Sequence, residues 1–333
     1  MIVSAPGKAL LCGEYAVLEG GHALVAAVDR FVHVRHVTGS HDPPARPGPE
    51  VEATLEAARR AFGTFPLGLE FDVGELFHDG TKLGLGSSAA CSAAVAALAA
   101  ATQGHELQLQ RSKDLVFATA FEGHGAVAPQ GSGVDVAAST YGGFLLFDPD
   151  TGAEPPVRSV SPPSLALSLV WTGKPVRTSD LVRQVRAFRY SQPQLHAQRF
   201  ADLHTSNKAF TRAFLDGDTA AILEAVQEYC EAMRQLGEAS GTPIVDRNLR
   251  AIAAWAAAEG GAAKPCGAGG GDVAVAFFPD SQARDRFETH CRSEGFLPLG
   301  VAWGVPGVFL HDGTSVVERR AHGLATDVTT SPS

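Results

Sequence analysis

The pattern of apolar and polar positions differs between the two halves of this 333-residue chain. Short apolar runs and period-two alternation predict strands, whereas apolar residues spaced three and four apart predict helices. In the first half these patterns predict strands at 2–5, 9–12, 67–73 and 143–147, a strand pair within 23–34, and helices at 51–62, 87–103 and 112–121.

The second half is predicted to be mainly helical between residues 179 and 259, with breaks near 191–193, 217 and 241–243. Strands interspersed with helices predict a mixed α+β domain whose sheet is covered by helices on one side. The other elements predicted here are strands at 165–171, 273–278, near 297–302 and near 308–310, and a helix at 281–294.

Residues 148–163 are rich in Pro, Gly and Asp and form the predicted linker between the halves. Residues 41–49 predict a turn-rich surface loop, and the tail after His322 is expected to be disordered. We therefore expect two domains and a tail. These are an N-terminal domain at 1–158, a C-terminal domain at 159–325 and a flexible tail at 326–333.

Composition and charge narrow the possible functions. The net charge is −9 and the pI is near 5.7, so a nucleic-acid partner, which usually meets a basic surface, is not expected. Five scattered cysteines without CxxC spacing favour a reducing, cytoplasmic setting. The only stretch long enough to be tested as a membrane span, 83–102, is mostly Ala, Gly and Ser. We expect a buried helix there and no membrane partner.

The segment 82–90, KLGLGSSAA, combines flexible glycines with the start of an alanine-rich helix. Glycines let backbone N–H groups fold around an anion, and the positive end of the helix faces the same place. Ser87 and Ser88 can cap the helix and offer a hydroxyl to a metal ion. The segment predicts a phosphate site outside the P-loop pattern, although a capped core helix after a flexible loop explains the same residues.

Two more glycine-rich loops occur far from this one, at 129–135 (PQGSGVD) and 264–272 (KPCGAGGGD). Together with 4–20 (SAPGKALLCGEYAVLEG) and 82–90, they form an ordered set that resembles the motifs of the GHMP kinases. The resemblance covers nearly the full length of the chain. It implies an α+β fold of two domains, an N-terminal α/β domain and a C-terminal ferredoxin-like domain, with ATP and substrate bound in the cleft between them.

The resemblance also implies ATP and Mg²⁺ as cofactors. Lys8 and Asp135 match the family's catalytic pair, in which the carboxylate accepts or orients the acceptor's proton and the lysine stabilises the transferring charge. Ser88 is the expected Mg²⁺ ligand. Judged without the family, Asp135 can cap a helix and Lys8 can lie on a solvated turn. The residues expected around the phosphates of ATP are Gly84, Leu85, Gly86, Ser87, Ser88, Ala89, Gly269 and Gly270.

The expected acceptor is a small phosphorylated hydroxy acid, whose phosphate and carboxylate need several cations. Judged singly, each cation can be a surface charge, Tyr141 can belong to the core and Asp272 can cap a turn. The adenine is expected against residues 51–57 and the loop before them, by analogy with the family. The residues expected around the acceptor are Lys82, Lys174, Arg177, Glu14, Tyr15, Ser132, Tyr141, Gly267, Ala268, Asp272 and His124, with Arg30 as a further cation.

One position departs from the family's pattern. His124 stands where mevalonate kinases use a glutamate for Mg²⁺, and histidine is a poor ligand for this hard cation. His124 is therefore expected either to contact phosphate or to be a packed residue at a helix end. Glu122 or Asp272 is expected to supply the missing negative charge.

Within the family, several residues resemble the phosphomevalonate kinases. Tyr15 and Asp272 stand where mevalonate kinases usually have His and Gly, and the segment 171–179 is similar to the opening of the second domain. The resemblance implies phosphorylation of 5-phosphomevalonate to 5-diphosphomevalonate. Phosphorylation of mevalonate is the alternative reaction, and a sensor that binds ATP and a metabolite without catalysis is the alternative outside enzymes. A monomer or a homodimer is expected.

Overall fold

The computed structural model describes residues 1–37, 48–63, 68–149, 152 and 155–311. Most of the predicted loop at 41–49 and the predicted tail at 326–333 lie outside these residues. The described strands are β1 (Ile2–Cys12), β2 (Ala23–His36), β3 (Leu69–Asp72), β4 (Phe77–His78), β5 (Thr81–Lys82), β6 (Phe144–Phe147), β7 (Val157–Ser159), β8 (Ala166–Trp171), β9 (Ala262–Pro265), β10 (Val273–Phe278), β11 (Leu297–Pro298) and β12 (Phe309–Leu310). The described helices are α1 (Pro49–Phe62), α2 (Ser87–Thr102), α3 (Gln110–Val127), α4 (Val134–Tyr141), α5 (Thr178–Ser191), α6 (Pro193–Asp216), α7 (Thr219–Ser240), α8 (Arg247–Ala258) and α9 (Ser281–Ser293).

β1 and β2 form the centre of an antiparallel sheet with the order β12-β1-β2-β6-β7, in which β3 also pairs with β2. The prediction of two strands at 2–5 and 9–12, and of a strand pair within 23–34, is wrong, because each segment is a single strand. Pro6 lies opposite Phe31 and Gly7 opposite Val28, so β2 bulges there. The bulge lets β1 continue through Pro6, and it places Lys8 on a strand instead of a turn.

Part of the predicted linker is a strand. β7 lies within 148–163, pairs with β6 and forms one edge of the first sheet, so the expected boundary at residue 158 falls inside it. β12 pairs with β1, and an isolated bridge joins Trp303 to Val28. The last described residues of the expected C-terminal domain therefore complete the first sheet. The division into 1–158 and 159–325 stays a proposal, which these strands refine.

The alanine-rich helix α2 is buried against the first sheet. Residues 93–100 are almost completely inaccessible, and α2 contacts β1, β2, α3 and α4. Small side chains on every side of the helix permit these close approaches. α2 is thus the buried helix that the sequence predicts, and none of the described helices combines the length and apolar character needed to cross a bilayer.

The second sheet has the antiparallel order β11-β8-β10-β9. Numbered along the chain, this is the order 4-1-3-2 of ferredoxin-like domains, as expected. The prediction that helices cover only one side is wrong. The Phe277 ring meets Phe210 of α6 at 5.6 Å between centroids, and the Phe278 ring meets Phe287 of α9 at 5.0 Å. Successive side chains of a strand point to opposite faces, so helices cover both faces of β10.

Candidate active site

Three segments that are distant in sequence meet beside β1. The backbone N–H of Lys8 donates to the carbonyl of Leu85 at 2.9 Å. A Cβ added to Gly86 would lie 3.0 Å from the side chain of Lys8, and one added to Gly84 would lie 2.4–2.5 Å from the carboxylate of Asp272. The first motif (4–20), the second motif (82–90) and the third motif (264–272, whose glycine-rich part is the third loop) therefore pack against one another and form one site.

The second motif folds around the start of α2. Gly84 and Gly86 have φ values of 73° and 80°, a region that glycine reaches without strain. Gly86 is the N-cap residue and no side chain caps this helix among the described residues, so the predicted capping by Ser87 or Ser88 is wrong. The first backbone N–H groups of a helix lack intrahelical partners and lie at its positive end. The loop at 84–89, called the phosphate loop below, and the helix start therefore provide an anion site, the phosphate site.

Lys8 and Asp135 form an ion pair beside this anion site, with Lys8 Nζ 3.3 Å from Asp135 Oδ1. Burial disfavours the charged lysine, but the nearby carboxylates of Asp135 and Asp272 outweigh it and raise the pKa of Lys8 above its usual value. Asp135 lies in the first turn of α4, which begins after Gly133 and, in the described structure, without a side-chain cap. The alternatives of a solvated lysine and a capping aspartate are therefore excluded.

Asp272 ends the third loop, and its carboxylate lies against Gly84 and near Lys8. Burial raises the pKa of its carboxyl group to about 6, although Lys8 acts in the opposite direction. Its Oδ1 atom is buried and meets no hydrogen-bond partner within the described ranges, and the same is true of Ser88 Oγ. Two polar atoms that need a partner are therefore buried at the phosphate loop.

Glu14 and Tyr15 do not face an open acceptor site as predicted. Glu14 forms an ion pair with Lys264 and accepts a hydrogen bond from the backbone N–H of Gly267 at 3.2 Å, while its second oxygen is also buried. The Tyr15 hydroxyl donates to the carbonyl of Ala268 at 2.6 Å, and burial raises its pKa. These contacts correct the expected role of both side chains: they join β1 to the third loop.

Tyr141 is half-buried and packs against the core, close to the alternative that the sequence left open. Its hydroxyl donates to Asp114 of α3 at 3.0 Å, and its ring contacts Phe117 at 5.6 Å between centroids. Both contacts join the end of α4 to α3. These contacts give Tyr141 a packing role, and its expected contact with the acceptor stays a prediction.

His124 lies in the last turn of α3, and Ser132 lies on the loop that leads into α4. Their contacts with a ligand stay predictions. Glu122 forms an exposed ion pair with Arg60 at 2.7 Å, which directs it away from the phosphate loop. Of the two carboxylates expected to replace the family's glutamate, only Asp272 lies at the phosphate loop.

The predicted acceptor cations differ in their contacts. Lys82 and Arg177 are exposed, at the end of β5 and just before α5, respectively. Lys174 is also exposed, with Nζ 3.4 Å from Asp246. Arg30 instead donates at 2.7 Å to a backbone carbonyl just after β11. The first three stay predictions, whereas Arg30 is engaged in holding the two domains together.

Two basic residues were not assigned from the sequence. Lys264 lies at the start of the third motif, and this position is the only feature of the sequence that indicates a role for it at the site. Arg186 of α5 donates to the carbonyl of Gln130 at 3.4 Å, on the loop that leads into α4 and Asp135. Nothing in the helical pattern of α5 indicates this contact, because it joins segments 56 residues apart.

Comparison with known proteins identifies the family. Residues 51–143 match the GHMP kinases N terminal domain, and residues 198–295 match the GHMP kinases C terminal domain. A phosphomevalonate kinase of Streptomyces sp. (strain CL190) is 31% identical, over 91% of this chain and 97% of that protein. The chain belongs to the GHMP kinases.

Other proteins similar to this GHMP kinase include a mevalonate kinase and a second phosphomevalonate kinase. A mevalonate kinase of Archaeoglobus fulgidus is 29% identical, over 89% of this chain and 98% of that protein. The structure of Streptococcus pneumoniae phosphomevalonate kinase in complex with phosphomevalonate and AMPPNP has a TM-score of 0.74 at 20% identity, covering 91% of this chain and 99% of that one. The predicted two-domain α+β fold is thus confirmed, and the protein is a phosphotransferase.

The geometry of this GHMP kinase suits transfer of an anionic group. Loop N–H groups, a helix start and a buried ammonium converge from different segments, and phosphoryl transfer depends mainly on such positioning and charge stabilisation. Asp135 is 42% exposed at its side chain, so a group arriving from solvent can reach the carboxylate.

We expect Asp272→Asn to stabilise this GHMP kinase at neutral pH. The folded state raises the pKa of Asp272 from 3.8 to about 6, so its contribution to stability is present below pH 4 and is lost as pH rises through 6. Asn avoids that loss. The free energy of unfolding should rise by up to about 3 kcal/mol at pH 8 and by roughly half of that at pH 5.

Urea unfolding of both proteins in EDTA, without nucleotide, measures this difference. Asp285→Asn on the exposed side of α9 is a matched control, expected to change stability little at either pH. A gain for Asp272→Asn that is equal at pH 5 and pH 8 would contradict the assigned pKa.

Proposed function

We propose that this GHMP kinase transfers the γ-phosphoryl group of ATP to the terminal phosphate of 5-phosphomevalonate, yielding 5-diphosphomevalonate and ADP in the mevalonate pathway. The observation that carries the proposal is the ion pair between buried Lys8 and partly exposed Asp135, beside the anion site at the start of α2. The similarity to the Streptomyces phosphomevalonate kinase over nearly the whole chain supports this acceptor. The five cysteines, all free thiols, fit the proposed cytoplasmic location.

In this reaction the loop at 84–89 binds the β- and γ-phosphates through backbone N–H groups, and Gly269 and Gly270 approach them from the third loop. Lys8 stabilises the charge on the transferring phosphoryl group, because it stays an ammonium in the buried site. Asp135 holds Lys8 in place and orients the acceptor. The exposed cations Lys82, Lys174 and Arg177 are the candidates for binding the acceptor's phosphate and carboxylate.

The residues at the loop fit a Mg²⁺ ion bound with ATP. Ser88 Oγ and Asp272 Oδ1 are both buried oxygens without a protein partner in the part of the chain that the structure describes. Within the same residues no three His, Cys, Asp or Glu side chains group as a metal site. That is compatible with Mg²⁺, which is usually held by one or two protein oxygens together with substrate phosphates. The bound ion would neutralise charge on the nucleotide phosphates.

We expect Ser88→Ala to weaken Mg²⁺-dependent nucleotide binding. The Mg²⁺ concentration that supports half-maximal binding of a fluorescent ATP analogue should rise about tenfold or more, because a ligand oxygen is lost. Ser92→Ala, one turn further along α2 and also a buried hydroxyl, is the matched control and should leave this concentration unchanged. Equal effects of the two substitutions would refute the assignment of Ser88.

A second candidate function is mevalonate kinase activity, which the similarity to the Archaeoglobus fulgidus enzyme favours. The Lys8–Asp135 pair also suits this reaction, in which the carboxylate would take the proton of an alcohol. A sensor without catalysis could dispense with either residue, so the intact pair favours an enzyme.

The experiment that tests the proposal measures ADP release with mevalonate, 5-phosphomevalonate and 5-diphosphomevalonate side by side. We expect the highest kcat/KM with 5-phosphomevalonate. A preference for mevalonate overturns the proposed acceptor in favour of the second candidate. Nucleotide binding without turnover of any acceptor overturns catalysis and supports the sensor.

A further inference from the structure

We propose that the buried Glu14–Lys264 ion pair is a positioning pair that holds the third glycine-rich loop in the geometry needed for phosphoryl transfer. The inference rests on the proposed function of the site and gives a role to two residues outside the reacting groups. Glu14 follows the end of β1 in the first sheet, and Lys264 lies in β9 of the second sheet. The pair therefore joins the two domains directly behind the phosphate site.

The pair is isolated from solvent. The side chains of Glu14 and Lys264 are 1% and 0% exposed. Lys264 Nζ also donates to the carbonyl of Pro265 at 2.8 Å and lies 5.7 Å from the centre of the Tyr229 ring. The Tyr229 hydroxyl in turn donates to the backbone carbonyl of Glu14 at 2.8 Å. Both charged groups are thus fixed by several partners, which favours one arrangement of the backbone around them.

Glu14 acts on the third loop through a backbone contact. Its Oε1 accepts the N–H of Gly267, the first glycine of the loop, at 3.2 Å. The Tyr15 hydroxyl binds the carbonyl of the next residue, Ala268, and the N–H of Leu10 donates to Cys266 Sγ at 3.2 Å. Successive residues of the loop are therefore held by the end of β1 and the turn that follows it.

The other end of the loop meets the phosphate site. The N–H of Gly270 donates to the carbonyl of Ile244 at 2.9 Å, and Asp272 lies against Gly84. The N–H of Cys266 donates to the carbonyl of Val273 at 2.8 Å and so joins the two ends of the loop. A shift at Gly267 is therefore transmitted to Asp272. A displacement of about 1 Å at a reacting site can lower the rate about a hundredfold, so this contact affects kcat without any contact to substrate.

The energetics of a buried ion pair allow a role in positioning to be distinguished from a contribution to stability. Replacing a buried ion pair by apolar side chains of similar size is often neutral for stability, whereas removing one partner leaves a buried charge unpaired. We therefore compare Glu14→Gln and Lys264→Met with two double variants. Glu14→Leu with Lys264→Met removes both charges and the acceptor for Gly267, whereas Glu14→Gln with Lys264→Met keeps that acceptor.

Tm, kcat and the KM values for ATP and acceptor are measured for all variants. Both single variants should lose Tm and at least about tenfold in kcat. The Leu/Met variant should regain most of the Tm while its kcat stays low, and the Gln/Met variant should regain both. Arg286→Met, which breaks an exposed ion pair with Glu259, is the control and should resemble the parent.

Two outcomes would overturn the inference. If kcat follows Tm in every variant, the pair is merely structural. If KM for the acceptor rises while kcat is unchanged, Glu14 contacts the acceptor instead. Hydrogen exchange of the backbone amides at 267–272 tests the positioning without any activity, and the Leu/Met variant should exchange faster there. This readout stays valid if the parent turns over none of the acceptors, so failure of the proposed function is distinguishable from failure of the inference.

Discussion

Replacing Lys8 by Met is expected to lower kcat at least about a hundredfold, because a buried cation beside the transferring group stabilises charge on that scale. Asp135→Ala should have an effect of similar size, since it removes the acceptor-side carboxylate and leaves Lys8 without the partner 3.3 Å away. ADP release with 5-phosphomevalonate at saturating ATP measures both effects. Near-parental turnover in both variants would remove the catalytic assignment.

The conservative variant Asp135→Asn distinguishes the two candidate acceptors. The second pKa of a phosphate monoester is about 6, so its oxygen arrives largely deprotonated above pH 7, whereas an alcohol must lose a proton. With a phosphate acceptor, Asp135→Asn should therefore keep more activity than Lys8→Met. A loss as large as that of Lys8→Met would indicate an alcohol acceptor. Lys208→Met on the exposed side of α6 is the control, expected to keep parental kcat.

Gly84→Ala is expected to lower kcat about a hundredfold with only a modest loss of stability. The new Cβ would lie 2.4–2.5 Å from the carboxylate atoms of Asp272, so this side chain must be displaced from the phosphate loop. The displacement acts on the reacting site. The positive φ of Gly84 adds roughly 1–2 kcal/mol of strain for alanine. Steady-state kinetics and urea unfolding of the same variant measure the two effects.

Gly80→Ala is the matched control for this substitution. Gly80 lies in the tight turn between β4 and β5, has a φ of 75°, and a Cβ there would meet no described atom within 4 Å. The backbone strain for alanine is therefore similar at both positions, and Gly84→Ala should lose more stability only by the cost of displacing Asp272. Only Gly84→Ala should lose turnover. Equal turnover of both variants would show that Asp272 need not stay in its place against the loop.

Local sequence patterns predict where helices and strands occur in this fold better than they predict whether a strand continues or is interrupted. The apolar spacing in α1 and α5–α8 depends only on neighbours in sequence, so these helices follow from the sequence. β1 passes through Pro6 because β2 bulges opposite it, a property of another segment. The helices on both faces of β10 are likewise unpredictable from its uniformly apolar sequence, since any buried strand has the same pattern.

The candidate active site, like the fold, can be predicted only in part from local sequence patterns. The glycine-rich loops and their order along the chain predict that Lys8 meets the second and third motifs. This prediction is possible because the residue types themselves indicate an anion site. Glu14 and Tyr15 were expected to contact substrate, since polar residues in a motif indicate function. Their partners, Lys264 and the carbonyl of Ala268, lie about 250 residues later in the chain. Only the packing of the two domains determines that these polar groups satisfy one another.

The return of the chain to the first sheet has a consequence for synthesis on the ribosome. β1 is synthesised before the strands of the second sheet, and its partner β12 is synthesised after them. The first sheet therefore waits with one edge of β1 unpaired until residues 302–311 emerge. Exposed strand edges are sites of aggregation, so a nascent chain arrested before residue 302 should be more aggregation-prone than one extended past residue 311.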